Sequence, residues 1–150
     1  MTDIEVVIDT SVLVKWLHAD NETEVAEPRV IREAHREGRL TAYILDVTPY
    51  ELGNMLVGSL RWAPDRVADL LDTLLVICGP PLTPAPAWRR DAATLTTEHR
   101  LSFYDASFAA AARAMGTPLI SADKKLLKPD LAMTATQFVE EHGNHIRKTP

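Results

Sequence analysis

Four acidic residues stand where a carboxylate could do chemistry. Asp9 closes the β-branched run Val6-Val7-Ile8, and Asp123 directly follows Pro118-Leu119-Ile120-Ser121-Ala122. Glu51 and Asp105 stand at the starts of two helical patterns, in Thr48-Pro49-Tyr50-Glu51 and Ser102-Phe103-Tyr104-Asp105. In an open parallel α/β sheet the C-terminal ends of the strands share one edge, and ligands bind there. Acids leaving such ends converge on one cleft even when they are far apart in sequence. Four carboxylates in one cleft repel one another unless protons or cations compensate. Hard oxygen ligands with no His or Cys beside them suit Mg²⁺ or Mn²⁺ rather than zinc. A structural reading competes with this one, because Asp is a favoured N-cap and acids in a first turn complement the helix dipole. Thr48 with Glu51, and Ser102 with Asp105, both have capping-box spacing. Spacing alone leaves the two readings open.

The elements that must position these acids are legible in outline. Val6 to Ile8 predicts a strand, and V-L-V-K-W-L after Asp9 has helical spacing. Residues 21 to 37 are polar with an apolar stripe of Val25, Val30, Ile31 and Ala34, a second helix that Gly38 ends. Thr41 to Leu45 reads as a strand. Thr48 as N-cap with Pro49 at the first helical position predicts a helix to about residue 61. Pro64 opens another, with Val67, Leu70, Leu71, Leu74 and Leu75 along one face. Residues 79 to 87 hold four of the ten prolines and read as an internal connection, with a short edge strand at Leu82-Thr83. Helices follow over 86 to 99 and 103 to 115, the second stopped by Gly116. A strand over 118 to 121, a helical turn over 123 to 127, a last strand over 131 to 133 and a helix over 135 to 142 complete the pattern. Strands alternating with helices predict the α/β class, with a parallel sheet covered on both faces. The expected organisation is one domain over residues 1–142 and a frayed tail over 143–150.

Composition narrows the function. Sixteen Lys and Arg against 21 Asp and Glu give a formal charge of −5, which argues against a generic polyanion binder. No apolar run reaches the ~18 residues of a membrane span, and Met1-Thr2-Asp3-Ile4-Glu5 lacks a basic n-region, so a cytoplasmic location is expected. The one cysteine, Cys78, ends an apolar run, which excludes an internal disulfide and a Cys-rich zinc site. Other chemistries find no support. His142-Gly143-Asn144-His145 lacks the H-E-x-x-H pattern, His18, His35 and His99 sit in polar contexts, and there is no Gly-rich phosphate loop. Asp9-Thr10-Ser11 has Ser where a haloacid-dehalogenase-like phosphatase has its second Asp, and Gly58-Ser59 is not followed as a nucleophile elbow requires.

Around the acids the chain resembles a PIN-domain ribonuclease of the VapC toxin type. The resembling pieces are V-I-D-T-S-V-L-V-K at 7 to 15, Y-E-L-G-N at 50 to 54, E-H-R-L-S-F-Y-D-A-S at 98 to 107 and P-L-I-S-A-D-K-K-L at 118 to 126. They stand in the family's order, and the likeness extends from about residue 4 to residue 140. The resemblance implies a three-layer α/β/α domain whose quartet Asp9, Glu51, Asp105 and Asp123 binds Mg²⁺ or Mn²⁺ and cleaves single-stranded RNA. It gives Ser11 a supporting role by hydrogen bonding, and Ser121, also a supporting candidate, stands in the place of the frequent Thr or Ser two before the last Asp. Some members carry a further acid shortly after the fourth, but Lys124-Lys125-Leu126-Leu127-Lys128 intervenes here and Asp130 follows a proline.

The resemblance also implies a dimer and a small VapB-like antitoxin that packs on the toxin and reaches its acidic site. Tyr50, Leu52, Met55, Leu56, Leu60 and Trp62, with the later leucine stripe, offer apolar area to a partner or to the core. An acidic protein acting on RNA needs a local positive rim, for which the candidates are Lys15, Arg113, Lys124, Lys125 and Lys128. Trp16, Trp62 and Trp88 are candidates for base stacking or for packing. The rival reading is a non-catalytic PIN-like module that binds RNA or protein while its acids only cap helices.

Overall fold

A computed structural model describes residues 4–17 and 26–147. Its framework is a parallel sheet of β1 (Glu5–Ile8), β2 (Thr41–Tyr43) and β3 (Leu119–Ile120), with β1 in the centre. Val6 lies opposite Ala42 in one neighbour, and Val7 opposite Leu119 in the other. Two single parallel bridges, Leu45 to Leu82 and Ile120 to Met133, widen the sheet at both edges. In chain order the strand positions across the sheet therefore run third, second, first, fourth, fifth. Chain order reverses between β1 and β3, the switch point at which open α/β sheets form their ligand crevice.

Alternation along β1 divides the interior in two. Val6 and Ile8 enter one core with Leu13, Trp16, Ile31, Leu52, Leu56 and Phe138. Val7 enters the other with Leu95, Phe108, Leu119 and Leu126. On the first face lie α1 (Thr10–Leu17), α2 (Ala26–Arg36), α3 (Thr48–Gly58), α4 (Pro64–Cys78) and α8 (Ala135–Ile146). On the second lie α5 (Pro86–His99) and α6 (Phe103–Met115), with the short α7 (Lys124–Leu127) contributing Leu126. The three-layer α/β/α expectation holds. Ala109 to Ala112 are all buried, because α6 is enclosed between the sheet and α5 and small side chains let it approach both. Gly116 ends α6 in the left-handed region at φ +65°, and its N–H meets Ala112 and Arg113 carbonyls.

Several boundaries differ from the sequence reading. The strands expected over 118 to 121 and 131 to 133 shrink to two residues and a single bridge, and the N–H groups of Leu131 and Ala132 turn back to the Leu126 carbonyl instead of joining a ladder. The helix expected to reach about residue 61 stops at Gly58. The terminal helix runs past His142 to Ile146, whose side chain is fully buried, so residues 143 to 146 are helix rather than frayed tail. Residues 21 to 25 of the expected second helix, His18, and the last three residues of the expected tail lie outside the described residues. No helix among the described residues is long and apolar enough to cross a membrane.

Candidate active site

Asp9 occupies the single position between β1 and α1, at the switch point. Its N–H donates to the Ile120 carbonyl at 3.0 Å, continuing the ladder between β1 and β3, and the residue is only 4% exposed. Its Oδ2 accepts from Ser11 Oγ and from Ser121 Oγ, both at 2.7 Å. Each hydroxyl accepts in turn from the loop after β3: Ser11 Oγ from the Ala122 N–H and Ser121 Oγ from the Asp123 N–H, both at 3.0 Å. The two serines thus tie the first acid to the backbone that presents the fourth. Both hydroxyl protons are committed to Asp9, which leaves the 3.4 Å approach of the serine oxygens a contact rather than a further bond.

The other acids enter from three separate helix starts. Glu51 sits in the first turn of α3, and the capping box expected from Thr48 does not form. The N-cap position belongs to Val47, and Thr48 Oγ1 accepts instead from the Leu45 N–H at 3.2 Å. Released from capping, Glu51 Oε1 accepts from Thr10 Oγ1 at 2.9 Å, which couples α3 to α1. Asp105 sits in the first turn of α6, where Ser102 caps as expected by accepting from the Asp105 N–H at 3.1 Å. Asp123 is itself the N-cap of α7, and its Oδ1 accepts from the Lys125 N–H at 3.0 Å. For Asp123, capping and facing the cleft coexist.

All four acids line one cleft of about 780 Å³, together with Thr10, Ser11, Tyr50, Asn54 and Tyr104. That size is ordinary for a ligand site. Burial pushes Glu51 up to about 7, reinforced by the charges of Asp9 and Asp105 and opposed by the Thr10 hydroxyl. Burial also raises Asp9, with the Asp123 charge adding to it, while the two serine hydroxyls resist. Asp105 is raised by burial and by the charges of Asp123 and Asp9, and Ser102 and Lys125 oppose the rise. The quartet therefore acts as one electrostatic unit, each member felt by at least one other. Among the described residues no three His, Cys, Asp or Glu side chains already close on one point as a ready-made ion cage. Magnesium does not require one, since it is held by one or two carboxylates and keeps several waters. An all-oxygen donor set crowded with negative charge fits such a cation, and a cation would offset both the burial and the mutual repulsion that raise these acids.

The basic candidates separate. Lys124 and Lys125 are exposed directly after Asp123, and Lys125 is close enough to ease the ionisation of Asp105. Lys15 is not on a rim, because α1 is enclosed on nearly every side and the residue is 8% exposed. Arg113 lies eight residues beyond Asp105 on the same helix, about 12 Å away along the axis. It pairs with Asp91 at 3.1 Å and lines a different cavity of about 540 Å³ with Thr117, Pro118 and Leu119, at the opposite edge of the sheet. The tryptophans are packed rather than free to stack. Trp16 is 1% exposed, Trp62 packs on the first core under the Arg66 guanidinium at 3.6 Å, and Trp88 packs on the second. Leu52 and Leu56 are buried and Met55, Leu60 and Trp62 are partly buried against the core, while Tyr50 and Leu75 of the area considered for a partner stay exposed. His35 is structural, its Nδ1 accepting from the Ala42 N–H at 3.0 Å and its Nε2 lying 2.7 Å from the Ile77 carbonyl. The sequence reading missed Thr10 and Tyr104 as cleft residues, and took Tyr50 only as partner or core surface.

A profile of the PIN domain matches residues 6–131 of the chain. Among solved structures the chain is similar to the crystal structure of PAE2754 from Pyrobaculum aerophilum, at 23% identity and a TM-score of 0.67. The likeness covers 94% of this chain and 90% of the other, and at that identity it carries the fold alone. No curated protein matches the sequence closely.

Proposed function

The chain belongs to the PIN-domain family, and from that premise and the geometry of its cleft we propose that it is a metal-dependent endoribonuclease cutting single-stranded regions of RNA. PIN domains are generally nucleases that act on nucleic acid and use divalent metal ions. The observation that carries the finer reading is the gathering of Asp9, Glu51, Asp105 and Asp123, from four stretches of chain, into one cleft at the switch point. When bound, Mg²⁺ or Mn²⁺ supplies Lewis-acid stabilisation of the scissile phosphate and an activated water. In this reading Asp9 and Asp105 hold the ion, with Asp123 beside them. Glu51 serves as a further ligand or as the base that orients the water and takes its proton. Ser11 and Ser121 position Asp9 through its Oδ2, and no protein nucleophile is required.

The same premise and the four motifs support a VapC-type toxin acting in the cytoplasm, dimeric and neutralised by a small VapB-like antitoxin. Incubation of the purified chain, free of copurified partner, with total cellular RNA tests the reading. Discrete cuts with Mg²⁺ or Mn²⁺ that vanish in EDTA are expected, and mapping their ends names the substrate. A folded chain that cuts nothing with either metal contradicts the proposal.

A further inference from the structure

Two exposed tyrosines flank the acids. Tyr50 is 80% exposed and Tyr104 58% exposed, yet both line the cleft that holds the quartet. Each stands immediately before an acid in the first turn of its helix, Tyr50 before Glu51 on α3 and Tyr104 before Asp105 on α6. Successive residues on a helix are separated by about 100°, so each ring points away from the direction of its neighbouring carboxylate and reaches the outer part of the cleft that both line. Neither ring belongs to either hydrophobic core. An aromatic side chain left this far in water contributes little to folding, and single exposed apolar residues are ordinary. Two rings on one acidic cleft, entering from two different layers of the fold, form an arrangement with chemical meaning.

We propose that Tyr50 and Tyr104 are substrate-binding residues that stack on unpaired bases flanking the scissile phosphate. The inference rests on the ribonuclease reading of the same cleft and deepens it by assigning the grip on single strands. Every base has a π-face, so such a platform binds without a strict sequence and favours bases not already stacked in a duplex. It also answers an electrostatic difficulty. The cleft is acidic and the chain carries a net charge of −5, so attraction to phosphate falls to a few rim residues such as Lys124 and Lys125. Ring stacking adds affinity that costs no charge.

The test is binding of two probes by the whole chain, with Ca²⁺ in place of Mg²⁺ to suppress cutting: a randomised single-stranded RNA 12-mer pool and an abasic 12-mer of the same backbone. Tyr50→Ala and Tyr104→Ala should each weaken binding of the pool about 5- to 100-fold while leaving the abasic probe unchanged. Tyr50→Phe and Tyr104→Phe should restore it, since stacking needs the ring and not the hydroxyl. Both sites are exposed, which keeps the variants folded. Wild-type affinity for the pool in the alanine variants overturns the inference and assigns the rings to a protein contact. Loss in the phenylalanine variants overturns it in favour of hydroxyl recognition. Cutting of total RNA by the alanine variants at wild-type kcat/KM overturns it with the ribonuclease reading intact, whereas a wild-type chain that neither binds the pool nor cuts removes that reading and this one together.

Discussion

At the scale of single residues, the site depends on how one buried carboxylate is held. Asp9 is the most enclosed of the four acids, and two serine hydroxyls offset part of the cost of burying its charge. Ser121→Ala removes one of those donors and leaves the Asp123 N–H without its acceptor. The loss should lower stability by about 1–3 kcal/mol. It should also raise the Mg²⁺ concentration needed for half-maximal cutting, because Asp9 then ionises less readily. Urea unfolding and a metal titration read the two effects; an unchanged metal requirement would show that Ser121 does not position Asp9. Asp9 and Asp123 were legible in the sequence, since Asp after a buried strand is a conspicuous place for a charge, whereas Glu51 and Asp105 stood out only through the family motifs. Lys15 was misread because its helix is apolar on both sides of it, Val14 and Trp16 being buried as well, and a charge in such a helix is carried inward. The cleft tyrosines were less visible, because an aromatic in the first turn of a helix gives no sign in sequence of whether it faces the core or the solvent.

At the scale of elements, most helices were legible because their boundaries are written in local chemistry. Pro64 and Pro86 open α4 and α5, Ser102 caps α6, and Gly116 closes it. Where the cap reading failed, a competing donor three residues upstream had claimed the hydroxyl. Thr48 caps nothing in its own helix because the buried Leu45 N–H claims its hydroxyl, and that frees Glu51 for Thr10. The short strands at the sheet edge were overestimated because apolar composition measures burial more directly than ladder length. The start of α7 carries the remaining prediction at this scale. Lys124 and Lys125 follow Asp123 on the exposed side of the turn. Reversing both to Glu should weaken single-stranded RNA binding at every sequence and reduce the steepness of its salt dependence by about 1–2. A salt slope equal to the wild type would reject them as a phosphate-contacting rim. The fold of α7 should survive, since its cap is Asp123 and its buried contact is Leu126.

At the scale of the whole molecule, two cores clamp the central strand and force its C-terminal edge to present the acids together. The metal-free chain bears a cost for this. The carboxyl of Glu51 is pushed from an ordinary 4.5 up to about 7, so between those values the folded chain holds a proton that the unfolded chain has released. Stability from this group is therefore full below about pH 4.5 and is lost as pH rises towards 7. In EDTA, Glu51→Gln should melt about 2–4 °C above the wild type at pH 8, roughly the effect of 1 kcal/mol in a chain of this size, with the gap closing near pH 4.5. Added Mn²⁺ should raise the wild-type midpoint at pH 8 more than that of the variant. A gap independent of pH would mean that burial in the acidic cleft does not hold the Glu51 carboxyl above its ordinary range. In the proposed reaction four carboxylates act together on RNA through a bound metal. Its most direct test is single-turnover cleavage of a mapped substrate, with Mn²⁺, by the wild type and by Asp9→Asn, Glu51→Gln, Asp105→Asn and Asp123→Asn. Each variant should stay folded and lose at least about 100-fold in rate, with the wild-type rate falling to background in EDTA. Any of the four variants cutting at the wild-type rate would contradict a joint role for the quartet.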